Sequence, residues 1–153
     1  MTIADFNLDE EYQETPLYPN GEYNGTITNV SMNTKETSMD FTVHLNNNGG
    51  FLSDGTTMID GTTLTYYVFI PQEEDKNRMT SSGRQTSYQW KVNSMKKFFA
   101  KNFPNVPMST KADMDAALGS RILCTGVNVR ATVVDEEYNG VVSSKVKDLK
   151  VVA

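Results

Sequence analysis

The sequence predicts a mainly β domain: a five-stranded antiparallel OB-fold barrel with a helix between strands 3 and 4. Three observations carry this expectation. Apolar residues recur at alternate positions in stretches rich in β-branched residues, as half-buried strands require. After the third such stretch the apolar period changes to that of an amphipathic helix. Two more alternating stretches then follow, and the order strand, strand, strand, helix, strand, strand is that of the OB-fold. A β-sandwich would call for seven or more strands and no long amphipathic helix. The 153 residues are enough for one core-bearing domain.

Residues 1–17 read as an acidic N-terminal arm beside the breakers Pro16 and Pro19, and 18–153 as the barrel domain. The first strand opens at GEYNGTITNVSM. The second, MDFTVHLN, sets Met39, Phe41, Val43 and Leu45 against Asp40, Thr42, His44 and Asn46. The turn NTKETS between them predicts a hairpin. NNNGGFLSDGTTMIDG reads as a long hairpin tip, dense in Gly, Asn and Asp. The third strand, TTLTYYVFIP, puts Leu64, Tyr66, Val68 and Ile70 on a core face and Thr65, Tyr67 and Phe69 on the other.

QEEDKNRMTSSGRQTS reads as a flexible loop. A helix follows over about 86–102, with Tyr88, Val92, Met95, Phe99 and Phe103 as its buried stripe and Trp90, Lys97 and Lys101 opposite. STKADMDAALGS predicts a short second helix, capped by Ser109 or Thr110 and stopped before Gly119. In the last two strands Val127, Val129, Ala131 and Val133 alternate cleanly. The period slips between Val146 and Leu149, which predicts a bulge or a change of face. The tetrapeptide EYNG occurs twice. Tyr23 of the first copy is expected in the core. Asn139-Gly140 of the second is the favoured type I′ hairpin pair.

Charge is segregated along the chain. Residues 1–75 hold thirteen acids and one base; residues 76–111 hold eight bases and no acid. Such a window suggests an anion site or, equally, a solvated lysine-rich helix face. The N-terminus lacks the basic and apolar regions of a signal peptide, and no stretch approaches a membrane span. Cys124 is the lone cysteine, which suits a reducing compartment.

Catalysis has little to work with. His44 is the one histidine, there is no zinc-ligand spacing, and there is no P-loop, GxGxxG or GxSxG. The expectation is a non-enzyme with no metal and no cofactor. Single-stranded nucleic acid needs cations for phosphates and aromatic faces for bases. In an OB-fold these would come from strands 2 and 3 and the flanking loops. The candidates are His44, Tyr67 and Phe69 on those strands; Lys76, Arg78 and Arg84 in the loop after strand 3; Trp90, Lys97 and Lys101 on the helix; and Arg130, Tyr138 and Lys145 on the last hairpin. Tyr67, Phe69 and Trp90 are equally suited to packing against the helix, the long loop or the arm.

LGSRILCTGVNVRATVV followed by EEYNGVVSSKVKDLKVV resembles the ending of a family of phage-encoded single-stranded DNA-binding proteins. LYPNGEYNGTITNVSMNTKETSMDFTVHL resembles that family's beginning, and KVNSMKKFFAKNFP its helix. The resemblance implies an OB-fold that coats single-stranded DNA without sequence preference in replication and recombination, in the cytoplasm of an infected host. The acidic segment is a departure from the bacterial single-stranded DNA-binding proteins, whose acidic tip is C-terminal; residues 1–15 are expected to dock on the basic surface of the free protein or on a partner such as a phage replication or recombination protein, with self-association left open and no membrane partner. The alternative readings are a phage protein-interaction or structural β-domain that binds no nucleic acid, and a nuclease-related accessory domain.

Overall fold

The computed structural model describes residues 3–5, 15–124 and 126–152. The arm residues 1, 2 and 6–14, and with them the expectation that the arm docks on a basic surface or a partner, lie outside the described residues. Five strands form one antiparallel sheet: β1 (Gly21–Met32), β2 (Ser38–Leu45), β3 (Thr63–Phe69), β4 (Val127–Tyr138) and β5 (Val141–Val151). Two helices, α1 (Ser87–Asn102) and α2 (Lys111–Ser120), lie between β3 and β4 in the chain.

The strand order is β3-β2-β1-β4-β5. β3 and β5 are therefore the two edges, and no ladder joins them. This overturns the predicted barrel: the sheet is open, and the molecule is an antiparallel sheet with helices packed on its apolar face. The resemblance to the phage family implied a closed barrel and a DNA-coating role, and the open sheet overturns both. β3 and β5 approach one another without pairing, and α1 packs against both. Phe98 of α1 stands 5.4 Å from the Tyr66 ring of β3 and 5.2 Å from the Phe41 ring of β2.

The core lies between the sheet and α1. Ile27, Met39, Phe41, Val43, Leu45, Val129, Ala131, Val133 and Leu149 are buried on the inner face, joined by Phe98, Phe99 and Phe103. Phe98 was missing from the predicted helix stripe. Tyr88, Val92 and Met95 are only partly buried, because the stripe runs off the core at its N-terminal end. The helix boundary itself obeys its cap. Gln89 donates its backbone N–H to Thr86 Oγ1, and Thr86 donates its own to Gln89 Oε1, both at 3.1 Å.

Gly25 lies on the inner face of β1, where a Cβ would come within 2.5 Å of Val43 and 2.9 Å of the His44 carbonyl oxygen. The first EYNG copy thus needs its glycine for close approach to β2. Its Tyr23 is buried and donates its hydroxyl to the Pro19 carbonyl. In the second copy Asn139 and Gly140 take φ of +51° and +79°, the left-handed pair that a type I′ turn requires. β4 pairs with β1 only as far as Val133, while β4 and β5 stay paired out to Tyr138 and Val141. The last hairpin therefore continues past β1 as a two-stranded ribbon.

Three further expectations change. The polar stretch after β3 is an ordered 3-10 turn over Glu73–Asn77, followed by a small hairpin that pairs Met79 with Thr86. Buried Asp75 holds that turn: Arg78 donates to it at 2.6 Å, Lys91 of α1 at 2.8 Å and the Gln72 backbone N–H at 2.9 Å. Gly119 lies inside α2 rather than after it, and Arg121 takes the left-handed capping conformation at φ +58°. The period slip of β5 is a bulge: Thr132 faces Asp148 and Val133 faces Val146, which leaves Lys147 without an opposite residue.

Candidate functional site

β3 is the sequence TLTYYVF. It carries no charge, proline or bulge, the usual devices that protect an edge. Its inner residues Leu64, Tyr66 and Val68 pack toward the core; Tyr67 and Phe69 on the other face are about half exposed, 53% and 47%. One side of β3 pairs with β2. Among the described residues nothing hydrogen-bonds the other side, so its backbone N–H and C=O groups face a groove unpaired. The groove measures about 670 Å³. All of β3 lines it, with Trp90 and Ser94 of α1 on one wall and Lys145 and Lys147 of β5 on another.

Opposite this open edge, β5 is occupied. The Tyr18 backbone N–H donates to Ser144 Oγ at 2.8 Å, and the Tyr18 hydroxyl donates to Thr62 Oγ1 at 2.8 Å, so Tyr18 bridges the two edges at one end. At the other end the Asn102 side chain acts as a surrogate strand. It donates to the Leu149 carbonyl at 3.0 Å and accepts from the Val151 N–H at 2.9 Å. Lys101 pairs with Asp148 at 3.0 Å. Burial, and then the negative charge of Asp148, raise the Tyr66 phenol above its ordinary pKa, so Tyr66 remains neutral in the groove floor.

Four of the predicted site residues converge here: Tyr67, Phe69, Trp90 and Lys145. The others do not. His44 faces Thr26 and Thr63 on the polar outer face of the sheet, and Arg130 faces Asn24 and Lys150. Lys76 and Arg78 belong to the Asp75 turn. Lys76 pairs with Glu73 at 3.0 Å and lies 5.0 Å from the Tyr88 ring; Arg78 is held by Asp75. Arg84 sits in the small hairpin before α1, and Lys97 and Lys101 on the exposed side of α1. Tyr138 is 77% exposed at the ribbon tip.

Most of the basic window is paired with carboxylates. Lys76, Arg78, Lys91, Lys101 and Lys111 each have a carboxylate within 4.0 Å, from Glu73, Asp75, Asp148 or Glu36, and Lys145 has Glu136 at 3.6 Å. The partners of Lys76 and Arg78 are near neighbours in the chain, those of Lys91, Lys101 and Lys111 are distant, and Arg84, Lys96 and Lys97 have no carboxylate partner among the described residues. The Lys91 hydrogen bond, aided by the Gln72 N–H and Arg78, lowers the Asp75 pKa to about 2.

Sequence reasoning missed Asn102 and Lys147. A lone Asn in the last helical turn carries no signal, whereas the β5 period slip did point to Lys147. Among the described residues no group of His, Cys, Asp or Glu could hold a metal, and no helix is long and apolar enough to cross a membrane. What the groove offers chemically is a row of backbone donors and acceptors beside aromatic surface. No protein-family model matches the chain, and no curated protein matches it.

Proposed function

We propose that the protein is a non-catalytic interaction module that takes an extended polypeptide segment by strand addition on the open edge of β3. The observation that carries this reading is the uncharged, unpaired β3 edge facing a groove of about 670 Å³. An added strand gains main-chain hydrogen bonds along the edge, and alternate side chains find separate surfaces. Tyr67, Phe69 and Trp90 suit apolar or aromatic side chains on one face. Lys147, which has no carboxylate partner among the described residues, favours an acidic side chain near β5. Seven residues of β3 span about 23 Å, enough for a peptide of comparable length.

The test is selection from a surface-displayed random peptide library, followed by amide exchange of the complex with an enriched synthetic peptide. The expected result is new protection of β3 amides, with affinity lost at least tenfold in Thr65→Lys. Enriched peptides that leave the β3 amides unprotected would overturn the reading. So would a dimer in sedimentation velocity that pairs through β3, or protection of β3 by an oligo-dT in place of peptide.

A further inference from the structure

A second groove, of about 620 Å³, lies on the other side of α1, against α2 and the β1–β2 turn. Four of the chain's eight methionines line it: Met32, Met95, Met108 and Met114. Methionine side chains are flexible and polarizable, so a surface built from them repacks around apolar groups of differing shape.

The rim is basic. Lys35, Lys96 and Lys111 are exposed there. Of the two rim acids, Glu73 is bound to Lys76 at 3.0 Å, and Glu36 lies 3.8 Å from Lys111. Lys35 and Lys96 have no carboxylate partner among the described residues.

Much of the backbone around this groove is already bonded. β2 is paired on both sides, whereas β1, which reaches the groove at Met32, pairs with β2 there but with β4 only as far as Ile27. The Ile70 N–H is bonded to the Thr37 carbonyl at 2.9 Å, and the Gln72 side chain donates to the carbonyls of Ile70 at 2.9 Å and Glu36 at 3.0 Å. The first turn of α2 is closed by Thr110 and Asp113. A helix satisfies its own main chain and needs none of these groups.

We infer that this methionine groove docks an acidic amphipathic helix of a partner protein, its apolar face on the methionines and its carboxylates toward Lys35, Lys96 and Lys111. Helix-in-groove recognition combines these two features. The inference does not depend on strand addition at β3.

The probe is a synthetic amphipathic helix of about 16 residues, about 24 Å long, with leucine on one face and glutamate on the other. It is titrated into the full chain carrying ¹³C-methyl methionine. The expected result is shifts at Met32, Met108 and Met114, with Met39 unmoved, and an affinity that falls at least tenfold in the K35E/K96E variant, whose two substitutions lie on the exposed rim. No shift at millimolar peptide overturns the inference. Equal binding of a control with lysine in place of glutamate also overturns it. Shifts caused by laurate but not by the peptide would reassign the groove to a small amphiphile.

Discussion

The two edges of the sheet are treated in opposite ways. β5 carries Lys145, Lys147, Asp148 and Lys150, is bulged at Lys147, and is bonded by Tyr18 at one end and Asn102 at the other. Each of these is a device that stops a strand from recruiting another. β3 has no charge and no bulge, is reached only by the Tyr18 hydroxyl at Thr62 just before it, and has side chains that are β-branched or aromatic at every position but Leu64. An edge of high β propensity without charge is a hazard unless something uses it. The contrast within one sheet is why β3, rather than the basic window, marks the site.

Substitutions can break or sharpen this contrast, beginning with the α1 ring packed beneath β3. Phe98→Ala removes the ring packed on Phe41, Tyr66 and Phe99. We expect a loss of about 3–5 kcal/mol in urea unfolding. Asp75→Ala leaves the part-buried ammonium of Lys91 without its carboxylate and loosens the turn from α1; about 3 kcal/mol is expected. In the wild type the same group sets a pH dependence. Its folded pKa is depressed from 3.8 to about 2, so its contribution is complete above the unfolded value and is lost as pH falls through about 2. An acid unfolding series in which Asp75→Ala no longer loses stability over that window would check the assignment.

Asn102→Ala should make β5 more like β3, at a cost of about 2 kcal/mol, because it strips two bonds from the β5 backbone. The Val151 amide should then exchange faster while the β3 amides are unchanged. Gly140→Ala at φ +79° should cost about 1 kcal/mol and fray only the ribbon. The smallest effect on stability, within about 0.5 kcal/mol, is expected for Thr65→Lys, which gives β3 the protection β5 already has. Its consequence should appear in peptide affinity instead.

Much of the local structure was legible along the chain. Alternation marked all five strands, the change of apolar period marked α1, and Asn139-Gly140 announced the last turn. The break in period at Lys147 announced the bulge. Each of these rests on neighbours within a few residues. The edges were not legible in the same way. The candidate residues were picked out as a scattered set, and only packing joined Tyr67, Phe69, Trp90 and Lys145 at one groove, while His44 and Arg130, on the same outer face of the sheet as Tyr67, lie away from it.

By itself, then, the sequence determined which segments become strand or helix, which faces are apolar, and how the two EYNG copies differ, because side-chain period and turn chemistry act locally. Tertiary structure alone decided that the sheet stays open and that bases of the window meet carboxylates from distant parts of the chain. Both depend on groups far apart in the chain: Asn102 with Leu149 and Val151, Lys101 with Asp148, Lys111 with Glu36. A side-chain amide that satisfies a strand edge removes the need for a neighbouring strand, and no periodicity in the sequence records where that amide will fall.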